Sequence, residues 1–283
     1  MQKIKFNDIP KYTNLTFDLI YQKKIKRNTK TSVLREYNNE KWQEIINKFQ
    51  NKSFISFEEI IFAETKKNDK KLFYKKNEGF IFAKNEYIVK SHLDLYQSIL
   101  EKYTNNASGL VELGAGFGAK LIDLSRRDSF KNIDLYAGEL TASGQYLINY
   151  FSNKLNIKIN TQFYDFRSSS FKNFKIPENC VIFTSYALCY VPILSKKIIR
   201  NIINLKPKAI VFFEPCYEHH DQETVHGLYC RKYIEVNDYI KNLHSIINEF
   251  INEGSVNVKI NKNVIGSNPF LPISIIEIQP IYN

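Results

Sequence analysis

The sequence predicts an α/β fold: a doubly wound, mostly parallel seven-stranded sheet that closes on a C-terminal antiparallel hairpin and follows a mostly helical N-terminal appendage. Three observations carry this expectation. From residue 86 onward, short apolar runs alternate with amphipathic helical stretches, as in strand–helix units that cover both faces of a parallel sheet. The first of these runs stops on glycines, in Val111-Glu112-Leu113-Gly114-Ala115-Gly116-Phe117-Gly118. The last two runs are joined only by Gly266-Ser267-Asn268-Pro269, far less than the roughly dozen residues a parallel crossover takes, so they pair antiparallel.

The elements follow in order. Up to about residue 85 the pattern is lysine-rich, with no clear alternation of strand and helix. Trp42, Ile45, Ile46 and Phe49 stand at helical spacing, and Ile55 to Ala63 is a second short apolar-periodic stretch. Residues 1–85 therefore read as the appendage and 86–283 as the main domain. Glu86 to Tyr103 places Ile88, His92, Leu95, Ile99 and Tyr103 on one helical face. Strands are expected at Gly109–Leu113, Ile133–Ala137, Ile157–Phe163, Cys180–Phe183 and Ala209–Phe213, with helices between them; Thr141 is suited to cap one. Tyr229, Tyr233, Val236, Ile240, Leu243, Ile247 and Phe250 form an unbroken stripe that predicts one long helix. Ser255–Ile265 and Leu271–Ile278 make the closing hairpin.

Composition sets the outer limits. The chain has 283 residues, 43% of them hydrophobic, enough for one large domain with a true core. No apolar run is long enough for a transmembrane helix, and the first residues carry no continuous apolar stretch, so neither a membrane span nor a secretory signal is expected. Cys180, Cys189, Cys216 and Cys230 are too sparse for a disulfide framework and read as reduced thiols in a cytoplasmic protein. The net charge of +11 is mostly lysine, scattered apart from Lys23-Lys24-Ile25-Lys26-Arg27, Lys66-Lys67-Asn68-Asp69-Lys70-Lys71 and Lys75-Lys76. A solvated face is the default reading of such groups, and a nucleic-acid footprint the alternative.

The glycine segment carries the chemistry. Gly114 and Gly116 let the backbone turn tightly and leave bare main chain for a ligand, with Ala115 between them. Gly118 allows the following helix to pack closely on the strand, and the helix amides point toward the ligand. Glu112 adds a carboxylate. The same residues satisfy G-x-G-x-x-A, so the glycines alone say only that a nucleotide-like ligand binds here. Glu139, at the end of the second strand, is placed to hold ribose hydroxyls. Asp165 and Phe166 follow the third strand, an acid for an adenine amino group and an aromatic ring to stack on it.

On these residues the stretch from about 86 to the end resembles the class I S-adenosylmethionine-dependent methyltransferases. The resemblance implies a Rossmann-like domain in which the loop containing Glu112, Gly114, Gly116 and Gly118 holds the methionine part of S-adenosylmethionine, Glu139 the ribose and Asp165 the adenine. It leaves residues 1–85 without a counterpart. They are expected to cover the acceptor pocket.

Ligands lie outside the carboxyl ends of the strands in such sheets. The methyl acceptor should then meet residues after the fourth and fifth strands: Ser185 beside the cofactor, Tyr186, Glu214, His219 and His220. Glu214, Tyr186 and His219 are the candidate catalytic groups, as hydrogen-bond acceptor or proton acceptor. The fourth strand lacks the Asx-Pro-Pro-aromatic loop of amino-methylating nucleic-acid enzymes, and Pro215-Cys216 follows the wrong strand for a cytosine C5 nucleophile. Cys216, His219, His220, His226 and Cys230 fall close together, but nothing frames them as a zinc site, and no metal is expected. His92 and His244 read as helix packing or helix surface, and Trp42 as core or as an aromatic over the acceptor. The expectation is O- or N-methylation of a small molecule or peptide. The alternatives are an RNA or protein methyltransferase that docks through its basic N-terminal region, and a non-catalytic nucleotide- or partner-binding protein on the same fold.

Overall fold

A computed structural model describes residues 1–21, 26–66, 68–168 and 174–282. Lys23, Lys24 and Lys67, members of two basic groups, lie outside them. The chain runs β1 (Gln2–Ile4), α1 (Leu15–Tyr21), α2 (Lys30–Val33), a π-helical stretch Leu34–Lys41, α3 (Trp42–Phe49), α4 (Phe57–Ile61), β2 (Lys70–Lys75), β3 (Gly79–Lys84) and α5 (Asn85–Thr104). It continues with β4 (Leu110–Leu113), α6 (Ala119–Ser125), β5 (Leu135–Glu139), α7 (Ala142–Leu155), β6 (Ile159–Phe163), β7 (Val181–Ser185), α8 (Lys196–Ile203), β8 (Ala209–Pro215), α9 (Val225–Val236), α10 (Leu243–Asn252), β9 (Val256–Gly266) and β10 (Ile273–Pro280).

One sheet of ten strands takes the order β1-β3-β2-β9-β10-β8-β7-β4-β5-β6. The block from β8 to β6 is parallel, and β10 joins β8 antiparallel with β9 beside it, so the closing hairpin is where the sequence places it. Period-2 alternation sorts its side chains between two cores. Phe183, Val211 and Phe213 pack with Leu93 and Tyr96 of α5, Leu121 of α6 and Phe151 of α7. Ile182, Ile210 and Phe212 pack on the other face with Ile198 and Ile202 of α8 and Ile247 and Phe250 of α10.

Two features correct the sequence reading. The sheet gains three strands from the N-terminal 85 residues, which are therefore not simply helical. β2 and β3 form a hairpin turned at Asn77 and Gly79, both at positive φ (70° and 79°), and Tyr74 and Lys75 pair with Gly266 and Ile265 of β9. Flanking lysines hide this hairpin's apolar residues, although Leu72, Phe73, Phe80 and Ile81 are all buried. The expected long helix is two helices. It breaks at Asp238, whose φ of 51° is left-handed, and Asn28 seals the break by donating from Nδ2 to the carbonyls of Asn237 (2.7 Å) and Asp238 (2.9 Å). The apolar stripe survives the break because Ile240, Leu243 and Ile247 return to the same core. Among the described residues no helix is long and apolar enough to cross a membrane.

The topology fixes where a ligand fits. β4 has β5 on one side and β7 on the other, so the direction of winding reverses between β4 and β7, and the crevice at such a switch point opens at the carboxyl ends of the strands.

His92 is 7% exposed and donates from Nδ1 to the Ile88 carbonyl (2.9 Å), and burial pushes its pKa from 6.5 down to about 4. The folded chain thus resists a proton that the unfolded chain accepts below pH 6.5. The stability involved is complete above pH 6.5 and is lost as pH falls toward 4. Buried carboxylates with raised pKa values act in the opposite sense, so the effect is read as a difference. Between pH 7 and pH 5, His92→Gln should lose less stability than the wild type by about 2 kcal/mol. Equal losses in chemical denaturation at the two pH values would contradict a buried neutral imidazole.

Candidate active site

The crevice holds a cavity of about 550 Å³. Gly114, Ala115, Gly116, Glu139, Asp165, Phe166, Ser185 and Tyr186 all line it, so it unites most of the residues expected at the cofactor. Glu112 and Gly118 do not reach the lining.

The turn after β4 is held from within. Gly114, Gly116 and Gly118 have φ of 76°, 60° and 84°. The Gly114 and Ala115 amides donate to the Gly138 carbonyl (2.7 and 3.1 Å), and the Gly116 amide donates to Glu139 Oε2 (2.9 Å). A Cβ at Gly114 would lie 2.4 Å from the Ala187 Cβ, and one at Gly116 would lie 3.0 Å from the Trp42 ring. Glycine is required here as much by the close approach of these two covers as by backbone conformation.

Glu139, 5% exposed, also accepts at Oε1 from the Thr141 amide (2.8 Å) and hydroxyl (2.6 Å). Burial raises its pKa against these donors. Thr141 in turn accepts from the Gly144 amide (3.1 Å) and caps α7 as expected. Asp165 accepts from the Arg167 amide (3.0 Å) at Oδ1 and pairs with Lys30 (2.8 Å) at Oδ2. Phe166 stands edge-on to Tyr164, with centroids 4.9 Å apart. Glu112 is fully buried and reaches the cavity only through Lys120 on α6, 2.9 Å away. Burial raises the Glu112 pKa with Lys120 opposing; burial also works against the lysine's charge, but Glu112 prevails and keeps it protonated.

The candidate catalytic residues part company. Tyr186 lines the cavity at a φ of 50°, and its hydroxyl donates to the Leu271 carbonyl (3.2 Å). Ser185 donates to the Tyr96 hydroxyl (2.9 Å). Glu214 does not reach the cavity. It is fully buried and accepts from the amides of Ala187 (3.0 Å), Leu188 (3.0 Å) and Cys189 (3.1 Å), which fixes the loop after β7. His219 is turned toward β10, where Nδ1 meets the Ser274 hydroxyl at 2.8 Å, and the His220 ring is buried away from the cavity. Among the described residues no group of three His, Cys, Asp or Glu side chains is placed to hold a metal; His226 contacts Cys230 (3.3 Å) and the Pro269 carbonyl (2.9 Å).

The N-terminal segment contributes residues to the cavity and its walls, most of them unmarked in the local sequence. Besides the Lys30–Asp165 pair, Asn38 Oδ1 accepts from the Ser143 amide (3.0 Å), the Tyr37 and Tyr190 hydroxyls meet, and Trp42 packs on Phe117. Tyr37, Trp42, Glu64 and Lys71 of this segment line the cavity, as does His92 of α5. Apart from Trp42, which the sequence offers as core or as an aromatic over the acceptor, no motif marks them, because they come from separate elements.

Glu214→Ala should strand three buried amides. The expected cost is about 3–5 kcal/mol in urea denaturation. A loss under about 1 kcal/mol would mean that the carboxylate does not hold this loop.

No protein-family model matches the chain, and no curated protein matches it in sequence. Solved structures do. Magnesium protoporphyrin IX methyltransferase from Synechocystis PCC 6803, with bound SAM, is 10% identical at a TM-score of 0.51, over 89% of this chain and 98% of that one. The plantazolicin methyltransferase BpumL, in complex with a monoazolic desmethylPZN analog and SAH, is 12% identical at 0.49, over 95% and 100%. The methyltransferase domain of bacterial CtHen1-C is 11% identical at 0.48, over 69% and 100%. The chain has the fold of the class I S-adenosylmethionine-dependent methyltransferases.

Proposed function

We propose that the protein is an S-adenosylmethionine-dependent methyltransferase whose acceptor is a small molecule or a small group of a peptide. The observation that carries this reading is that the glycine turn, Glu139, Asp165 and Phe166 open into one cavity at the switch point of the sheet. A carboxylate offers about four acceptor sites. Three donors already occupy Glu139, two on Oε1 and one on Oε2, so Oε2 keeps a lone pair for a ribose hydroxyl. Phe166 supplies an apolar face for adenine, and Asp165 an acceptor for its amino group. The methionine part lies along Gly114 to Phe117.

Residues 1–85 act as the cap of this site, and 86–283 carry the cofactor. The N-terminal cover favours a small acceptor over a folded nucleic acid. The acceptor meets Tyr186 and Tyr190, with Tyr37 from the cap. Methyl transfer is a displacement at the sulfonium carbon, in which enclosure contributes alignment and the exclusion of water. Glu214 acts as a positioning residue, because it holds the loop that carries Tyr186. His219 has no part in the chemistry on this reading.

Isothermal titration with S-adenosylmethionine tests the cofactor assignment: saturable binding is expected, and Glu139→Ala should weaken it by at least about tenfold. Absence of heat together with an unchanged melting temperature would sink the reading. Incubation with methyl-labelled S-adenosylmethionine and a panel of small hydroxyl and amine acceptors should yield a methylated product. Label transferred to RNA and to no small acceptor would favour a nucleic-acid substrate instead.

A further inference from the structure

The cavity continues past the glycine turn. Its lining there includes Glu64, Lys71, Lys120 and His92, gathered around the first turn of α6. Lys120 stands on that turn, Glu64 follows α4, which packs on α6, and Lys71 lies on β2, against α5. Lys120 is committed to Glu112. Glu64 and Lys71 are not committed: both are exposed along the cavity they line, and neither makes a hydrogen bond or ion pair with a described residue. Burial raises the Glu64 pKa and lowers that of Lys71, so each is displaced toward its neutral form.

Two further groups at this space are unspent. His92 Nε2 and Trp42 Nε1 have no hydrogen-bond partner among the described residues, in side chains only 7% and 6% exposed. The Nδ1 proton of His92 goes to the Ile88 carbonyl, so Nε2 presents a lone pair, whereas Trp42 presents an N–H. Buried polar groups without partners are unfavourable unless a ligand supplies them, and the two charged side chains beside these groups are free to pair with the same ligand. A carboxylate, an ammonium, a donor and an acceptor around one space match a ligand end that bears both signs.

We propose that Glu64 and Lys71 hold the amino-acid end of the cofactor, Lys71 its carboxylate and Glu64 its ammonium. This rests on the S-adenosylmethionine reading above. Asp165, Phe166 and Glu139 take the adenosine at one end, the glycine turn passes beneath the sulfur, and the zwitterion arrives beside Lys120, where these two side chains wait. The N-terminal segment is then part of the cofactor site as well as its cover. Cofactor recognition depends on β2 and on the residues after α4, far in sequence from the glycine motif.

The test compares two probes by isothermal titration: S-adenosylhomocysteine, and 5′-methylthioadenosine, which has the adenosine and sulfur but no amino-acid end. Lys71→Met and Glu64→Gln should each bind S-adenosylhomocysteine about tenfold to a hundredfold more weakly, and 5′-methylthioadenosine within about threefold of wild type. The second probe also reports that the variants are folded. Either variant binding S-adenosylhomocysteine as tightly as wild type overturns the proposal. Proportional loss of both probes overturns it too, because the side chains would then support the fold. Wild-type protein that binds neither probe overturns the cofactor reading itself, an outcome distinct from the other two.

Discussion

A backbone that reverses over Gly114, Ala115 and Gly116 leaves its amides in search of acceptors, and at this turn the chain supplies them from the neighbouring strand. The Gly138 carbonyl takes two and the Glu139 carboxylate takes the third. Glu139 also takes the Thr141 amide and hydroxyl, and Thr141 caps α7. One carboxylate therefore joins the turn after β4, the end of β5 and the start of α7. The floor of the cavity depends on that junction. Its cost is a buried carboxylate, offset by three hydrogen bonds to the charged form.

The other walls follow the same logic. Glu214 lies under the loop after β7 and takes three consecutive amides, so the loop can pass over Gly114 with Ala187 in contact and Tyr186 facing the cavity. The N-terminal segment supplies further lining, tied to Asp165 by Lys30 and to the head of α7 by Asn38. Acidic residues thus serve two purposes on either side of β4. Glu139 stays in the lining with a lone pair to spare, whereas Glu214 is consumed by structure.

The sequence made the parallel core legible because strands buried on both faces must be apolar runs, and helices with one buried face must show a stripe. β4, β5, β7 and β8 fall where those runs fall, and the closing hairpin follows from a connection too short for any other pairing. The β2–β3 hairpin stayed hidden because Lys70, Lys71, Lys75 and Lys76 surround a short apolar centre at an edge that only the fold reveals. The break at Asp238 was invisible because hydrophobic spacing continued across it. At the site, the glycines and Glu139 were readable from local spacing, since their task is local. Glu214 and His219 stand out in the sequence only by following a strand, and that position does not say which way a side chain points. Glu64 and Lys71 carry no local signature, because their meaning arises only where the residues after α4 and those of β2 meet the glycine turn; Trp42 is legible as core or as a ring over the acceptor, and the fold sets it on Gly116.

The proposed site rests on one placement: a cofactor lying along Gly114 to Phe117 and spanning the cavity from end to end. A crystal structure of the protein with S-adenosylhomocysteine measures this directly. Density should show the adenine against Phe166 and Asp165, the ribose at Glu139 Oε2, and the amino-acid end beside Lys71 and Glu64. Density lying elsewhere, or in the reverse orientation with the adenine at Lys71, would contradict it.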